Sequence, residues 1–410
     1  MAAAGVIGRE MTTFDAEAIV VGGGPAGSVT ASLLAEAGHA VILLDKASFP
    51  RHKACSEYIT PGGARSLAQL GVLAEVEAMG AHRVSGMRVV VPSGASWLSD
   101  FEGPHGARGV GLTRWKLDAL LLDRARAAGV DVRERAHVRG VAAGADSGAV
   151  DLSLGGTRET LRARLIVGAD GRASVVSRSL GLDAGRFFPR RTGLVAHYRN
   201  VPGLDRYGEM HVGPHGYAGL APLEDGIANV AFVSDAAAAH DRSGSLEEYF
   251  EDGLRRLEQL WPRLAAAERV GPIRGVGPMA HQTTRAAGDG YLLVGDAAGF
   301  LDPFTGEGVS EALLGAILAG PVAAAALRGG VCSSRALEPY LRARRETFGR
   351  KRQVSWLVQG FIRNPALLGY AIPRMNRREE LAATFAGVMG NVVPAGRALD
   401  PRFLARLLAP

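Results

Sequence analysis

The hydrophobic pattern changes character along the chain. Ala18–Val21 is an unbroken apolar run, and Ala40–Leu44 is a second. Continuous runs of that length suit strands covered on both faces, as in a parallel sheet. Between them the apolar positions keep a helical spacing up to Ala37, with Gly38 placed to end the helix. Residues 81–104 and 186–278 read differently. "RVSGMRVVVPSG", "RTGLVAHYRNV", "GEMHVGPHGYAGLAPLEDG" and "IANVAFVSD" are short strand-like stretches divided by Gly and Pro turns. "LEEYFEDGLRRLEQLWPRL" carries the period of one amphipathic helix. From Arg342 onward, Arg clusters alternate with apolar helical stretches. The longest apolar run, Ala312–Leu327, is short for a membrane span, contains Pro321, and is expected to be a buried helix.

The junction after the first strand carries candidate chemistry. Gly22, Gly24 and Gly27 stand in G-x-G-x-x-G spacing, with Pro25 and Ala26 between the last two. Such glycines let the backbone turn tightly and approach a pyrophosphate, and the following helix offers free N–H groups to the anion. Asp45 closes the second strand, where a carboxylate can accept from a ribose hydroxyl and disfavours a 2′-phosphate. Strand, glycines, helix, strand and acid in register therefore predict bound FAD or NAD.

Two further motifs choose between these. "LIVGADGRASVVSRSLG" is a strand followed by Asp170-Gly171 and a helix. "DGYLLVGDAAGFLDPFTGEGVSEALLGAILAG" is a strand, then Gly295-Asp296, then a Gly-rich loop and a helix. With Arg114 and the Pro303-x-x-Gly306-x-Gly308 pattern, the chain from about 15 to 345 resembles the FAD-dependent aromatic-hydroxylase (group A flavin monooxygenase) superfamily. More narrowly it resembles the geranylgeranyl reductase family within it. The resemblance implies an α/β fold: a Rossmann-like FAD-binding domain (14–80, 105–185, 279–330), an antiparallel β-sheet substrate domain (81–104, 186–278) and a helical C-terminal cap (331–410). It implies FAD contacts from Gly22, Gly24, Pro25, Ala26, Gly27, Asp45, Lys46, Arg51, Cys55, Arg114, Val138, Asp170, Gly295, Asp296, Pro303, Gly306, Gly308 and Val309. Asp296 is expected on the ribityl chain. The Gly306–Val309 helix start should face the flavin pyrimidine edge, where its dipole favours negative charge. Arg114 is read as a pyrophosphate contact or a solvated helix-start residue, and Asp170 also as the cap of the helix after it.

The loop "RHKACSEYI" crowds Arg51, His52, Lys53 and Glu57 around Cys55. The family pattern there is basic-x-Lys-x-Cys-Gly, and Ser56 replaces the Gly. Cys55 is read as a thiol lining the site or as a small apolar filler. Glu57 and Tyr58 are candidate acid/base groups, and Tyr217 joins Cys55, Glu57 and Tyr58 as the candidate catalytic set. His197, His211 and His215 read as ordinary sheet residues. Geranylgeranyl reductases tend to carry Tyr-x-Trp-x-Phe-Pro in the sheet. Here it reads "YAGLAP", with Gly219 and Ala221 at the aromatic positions, which opens space for a bulkier substrate. The Trp-x-Trp-x-Ile-Pro of flavin halogenases is absent, so halogenation is not expected.

Composition adds limits. Two cysteines give neither a disulfide framework nor a metal-site spacing, and point to a reducing, cytoplasmic setting. The first 13 residues lack a secretory h-region. The +6 net charge is concentrated at residues 328–410, which hold 15 Lys and Arg against 5 Asp and Glu. That tail is read as a solvated helical cap or a peripheral membrane contact, without nucleic-acid motifs. Only four of the 47 basic residues are Lys, which reads as genome composition. No second dinucleotide motif is present, so NADH or NADPH would dock transiently or a flavin reductase partner would supply electrons. The expected function is oxidation by FAD of a hydrophobic small molecule such as a secondary metabolite, foremost as a monooxygenase. C=C reduction or dehydrogenation of a prenyl or polyketide chain is the alternative. A non-catalytic flavin or lipid carrier is the alternative from another class.

Overall fold

A computed structural model describes residues 14–101, 107–185, 190–240 and 244–408. The expected boundaries at 104/105 and 185/186 fall at segments outside the described residues.

Six strands form the first sheet, in the order Ala287–Gly288, Tyr291–Leu293, Leu165–Gly168, Ala18–Val21, Val41–Leu44 and Asp131–Arg133. All pairs are parallel except that of the Ala287–Gly288 edge. The central strands are buried throughout, as their continuous apolar runs require. Helices Pro25–Glu36, Arg114–Ala127 and Gly308–Arg328 pack at this sheet. The last is long and apolar enough to cross a membrane, yet most of it is buried within the fold.

A seven-stranded sheet runs Glu268–Val276, Arg191–Arg199, Ile227–Asp235, Gly216–Pro222, Tyr207–Gly213, Gly86–Val90 and Ser96–Asp100. Tyr207–Gly213 pairs with Gly86–Val90 in parallel; the other pairs are antiparallel. Alternation gives this sheet two different faces. Leu194, Ala196, Leu220, Val230 and Phe232 meet Phe250, Leu254 and Leu260 on the outer face. Those last three come from what sequence periodicity presents as one helix. The fold breaks it into Leu246–Arg255 and Trp261–Ala265, with Pro262 opening the second piece. The inner face carries Val212, Tyr217 and Val233. It shares one core with Val354, Val358, Ile372, Ala386 and Met389 of the C-terminal helices Ser334–Arg363, Pro365–Arg377 and Glu379–Met389.

His82–Val84, expected in the substrate sheet, instead pairs with Gly109–Gly111, which also pairs with Tyr58–Ile59. This small sheet fixes the end of the Cys55 loop.

Candidate functional site

Three turns follow the C-terminal ends of parallel strands, at Gly22–Gly24, Ala169–Gly171 and Gly295–Asp296. They face the inner side of the seven-stranded sheet across a cleft enclosing about 1540 Å³, mouth included. Its wall draws on both the strand-end turns and the sheet, the arrangement of a site that takes a cofactor on one side and a substrate on the other.

The glycines have separate duties. A Cβ on Gly22, whose φ is +108°, would lie 2.4 Å from the Ala169 carbonyl oxygen; one on Gly27 would lie 1.8 Å from the Gly22 carbonyl oxygen. Both allow backbone to pack on backbone. A Cβ on Gly24 would meet only Nη2 of Arg114 and Nη2 of Arg51, at 3.7 and 3.8 Å. Two guanidiniums therefore flank open space at the start of helix Pro25–Glu36, where free N–H groups also gather.

Arg114 opens its own helix and forks onto buried Asp118, with Nε–Oδ1 2.6 Å and Nη2–Oδ2 2.7 Å. Burial alone would lower the Arg114 pKa; Asp118 and the Cys55 thiol beside the guanidinium more than offset it. Lys53 also lines the cleft, its Nζ 3.6 Å from a Cβ placed on Gly171. Its side chain is exposed to the open cleft; the protein crowded around it, then Arg114, lowers its pKa, while Asp296 acts in the opposite sense. Asp296 sits on the turn Gly295–Ala298 with Arg172 Nε 3.9 Å away. Arg51, Lys53, Arg114 and Arg172 against Asp118 and Asp296 leave two positive charges. That balance, with the open space at Gly24, fits the doubly charged diphosphate of FAD.

The remaining expected contacts are spread more widely. Pro25, Ala26, Gly295, Pro303, Gly306, Gly308 and Val309 line the cleft. Gly306 is left-handed at φ +67°, and a Cβ there would strike the Tyr58 ring at 2.7 Å. Asp45 accepts from Gly23 N at 2.7 Å and Ala47 N at 2.8 Å, with a further lone pair on each oxygen. Asp45, exposed Lys46 and Val138 are outside the cleft wall. Backbone bonds Arg135 N–Ala47 O and Ala136 N–Asp45 O bring the approach to Val138 beside Asp45. Asp170 Oδ2 accepts from Val175 N at 2.6 Å, so this side chain caps the next helix; its Oδ1 is buried without a partner among the described residues.

The Cys55 loop divides its residues between the cleft and the frame. Cys55, Ser56 and Tyr58 line the cleft, and Glu57 does not. Glu57 has φ +57° and turns its carboxylate inward, where it is 2% exposed. There it accepts from Arg114 N at 2.8 Å and Asn229 Nδ2 at 2.9 Å, and meets His197 Nε2 at 2.5 Å. Asn229 Nδ2 also donates to the Cys55 carbonyl at 2.9 Å. Glu57 thus fastens the loop to a helix start and to the sheet. His197, expected as an ordinary sheet residue, is one end of that fastening. The Tyr58 hydroxyl has no hydrogen-bond partner among the described residues, and burial, then Glu307, raises its pKa well above the ordinary phenol value. Tyr217 donates to Asp302 Oδ1 at 2.7 Å under the Arg191 guanidinium, and burial followed by Asp302 raises it likewise.

Gly219 and Ala221 both line the cleft, as their missing rings led us to expect. The space at Gly219 is partly refilled: a Cβ there would lie 3.3 Å from Met210 Sδ. Met87, Met279, Met389, Phe101, Phe300 and Phe304 complete an apolar wall. Sequence reasoning missed Asp118, Asn229, Arg191 and Asp302. Only Asp118 carries a local signal, four residues after Arg114 on one helix face.

An FAD-binding domain family matches residues 15–352. The digeranylgeranylglycerophospholipid reductase 1 of Methanococcoides burtonii is 31% identical over 344 residues, covering 81% of this chain and 80% of that protein. The menaquinone reductase of Mycolicibacterium smegmatis is 29% identical over 397 residues, 92% of each chain. A flavoprotein/dehydrogenase from Cytophaga hutchinsonii shares the fold, with a TM-score of 0.81 and 23% identity over 95% of each chain. The chain belongs to the FAD-dependent oxidoreductases of the geranylgeranyl reductase family.

Proposed function

We propose that this enzyme reduces a C=C bond in an apolar, isoprenoid-like chain, with electrons drawn from NADH or NADPH directly or through a partner flavin reductase. The observation that carries the reading is the substrate side of the cleft. Four methionines and three phenylalanines line it, a surface that adapts to a flexible hydrocarbon better than to one rigid polar metabolite. The named reductases at 29–31% identity support the same choice.

Gly24, Arg51, Lys53 and Arg114 would hold the diphosphate, Asp296 the ribityl chain, and the Gly306–Val309 turn the ring. Bound FAD supplies a hydride equivalent. The chain's own residues exclude water, press the alkene against the apolar sheet and provide the proton for the second carbon. Lys53, Cys55, Ser56 and Tyr58 are the proton-bearing loop side chains in the cleft wall, and of these the half-buried Cys55 beside Arg114 and Tyr58 beside Gly306 are the candidates to supply it. In this reading the Arg-rich C-terminal helices rest on an anionic membrane surface and receive a lipid-borne chain.

Monooxygenation of a bulkier molecule is the second reading, favoured by the small residues Gly219 and Ala221. One experiment separates them. Photoreduced enzyme, free of dithionite, is mixed anaerobically with geranylgeranylated lipid, which has no other group to reduce. A product two mass units heavier is expected. No anaerobic product, but uptake of ¹⁸O₂ into an aerobic one, would replace the reductase with the monooxygenase.

A further inference from the structure

Asp118 is an acid in the middle of a basic diphosphate site. Its side chain is fully buried and lies behind the cleft wall. Both oxygens engage Arg114, and Oδ2 also lies 2.9 Å from Arg51 Nη1. Arg51 comes from the Cys55 loop and Arg114 from a helix start 63 residues later, so the chain offers no covalent reason for them to meet. The Arg51 guanidinium is backed by the Phe49 ring, 4.6 Å to the centroid. Held this way, both Nη2 atoms converge within 3.8 Å of the one point beside Gly24 where a side chain would start. Two bare guanidiniums so close would repel and swing apart. One shared carboxylate screens that repulsion: it fixes the Arg114 plane through a two-bond fork and holds Arg51 by the ion pair, while leaving unused N–H groups on each guanidinium.

We propose that Asp118 is a positioning residue for the dinucleotide: a shared counter-ion that turns Arg51 and Arg114 into one preset grip for a diphosphate. This rests on the FAD assignment and is independent of the substrate. The grip acts on phosphate and not on the isoalloxazine ring, so the test compares FAD with riboflavin, which shares the ring and ribityl chain and lacks the diphosphate and its adenosine. Apoprotein of wild type and Asp118→Asn is titrated with FAD and with riboflavin, following flavin fluorescence at low and high salt.

Asp118→Asn is expected to weaken FAD by about 10- to 100-fold, the scale on which outer-shell partners of a bound ion act. Riboflavin affinity should stay within about twofold of wild type, and the salt dependence of FAD binding should change. Equal loss of FAD and riboflavin would mean that Asp118 merely supports the fold, and unchanged FAD affinity would remove it from binding altogether; either overturns the proposal. If Asp118→Asn fails to fold, Arg51→Lys tests the same point. A lysine cannot bridge Asp118 and the Gly24 space together, so it should lose FAD selectivity over riboflavin; wild-type selectivity would overturn the grip. A wild-type apoprotein that binds riboflavin and FAD equally would instead count against a diphosphate site at Gly24.

Discussion

Glu57 can be tested as a fastening against the acid/base role that its place in the sequence suggests. Replacing it with Ala strands the Arg114 N–H, the Asn229 amide and His197 Nε2 in a pocket where the carboxylate is 2% exposed. A buried donor left without an acceptor costs about 1–3 kcal/mol. The three donors lie close enough to relax toward water or one another. The expected loss is therefore about 3–5 kcal/mol, the range for removing one half of a buried pair. Glu57→Gln keeps the volume and one acceptor but turns an NH₂ toward one of the donors, for a loss of about 1–3 kcal/mol. Urea unfolding of wild type and both variants, with FAD present and absent, measures these differences. Weaker FAD binding should accompany the loss, because Glu57 holds Arg114 by its backbone. A Glu57→Ala protein within about 0.5 kcal/mol of wild type would refute the fastening. So would a stable Glu57→Gln whose turnover falls by more than about 10²-fold with a displaced pH profile, since that is the size of a proton-transfer defect.

Gly24→Val should fold but lose FAD, because its side chain enters the space between two guanidiniums. Gly27→Val should fail to fold, because its Cβ would collide with the Gly22 carbonyl; circular dichroism and flavin absorbance of the purified proteins distinguish the two. Gly219→Trp must displace Met210, at about 1–3 kcal/mol for overpacking, and should slow turnover of bulky substrates more than of thin chains; equal slowing of both would count against Gly219 as a width determinant. Glu311 is pushed up to about 7, first by burial and then by Glu307. A carboxyl raised by folding stabilises fully below its ordinary value of 4.5 and loses that contribution as pH rises through about 7. Tm should therefore fall more steeply from pH 5 to pH 8 in wild type than in Glu311→Gln, and parallel curves would show that Glu311 does not titrate there.

What the sequence made legible was local. The Gly22–Gly27 turn, both flanking strands and the Gly295-Asp296 and Gly306–Gly308 turns are each encoded within about ten residues, where backbone sterics and side-chain period act directly. Pairings made by sheet register were out of reach. His197 and Glu57 are 140 residues apart, and nothing in "LVAHYRN" marks its histidine as the one that meets the loop. Met210 refills the space at Gly219 because Tyr207–Gly213 and Gly216–Pro222 pair with those two residues opposite each other. An unpaired reading of "YAGLAP" sees only the lost rings. His82–Val84 looked like one more strand of the large sheet, and its choice of Gly109–Gly111 depends on a segment 25 or more residues away.

Contacts cross the expected C-terminal boundary near residue 330, and one residue makes the principal one. Lys351 is one of four lysines in a chain that otherwise uses arginine. Its ammonium is buried 2.7 Å from Oε1 of Glu307, which stands between Gly306 and Gly308, and it also donates to the Val388 carbonyl. Two residues further on, Gly390 O accepts from Gly62 N, and Asn391 O from Arg65, just after the Cys55–Tyr58 loop. Met389, between these anchors, lines the cleft itself. A compact ammonium on a flexible stem can fill such a corner where a planar guanidinium could not serve both acceptors. The segment 388–391 therefore ties the Gly306–Gly308 turn and the helix after the cysteine loop from behind, while Met389 lines the cleft in front. The C-terminal helices thus supply part of the cleft wall, and Lys351→Met is expected to weaken FAD binding, read by flavin absorbance of the purified protein.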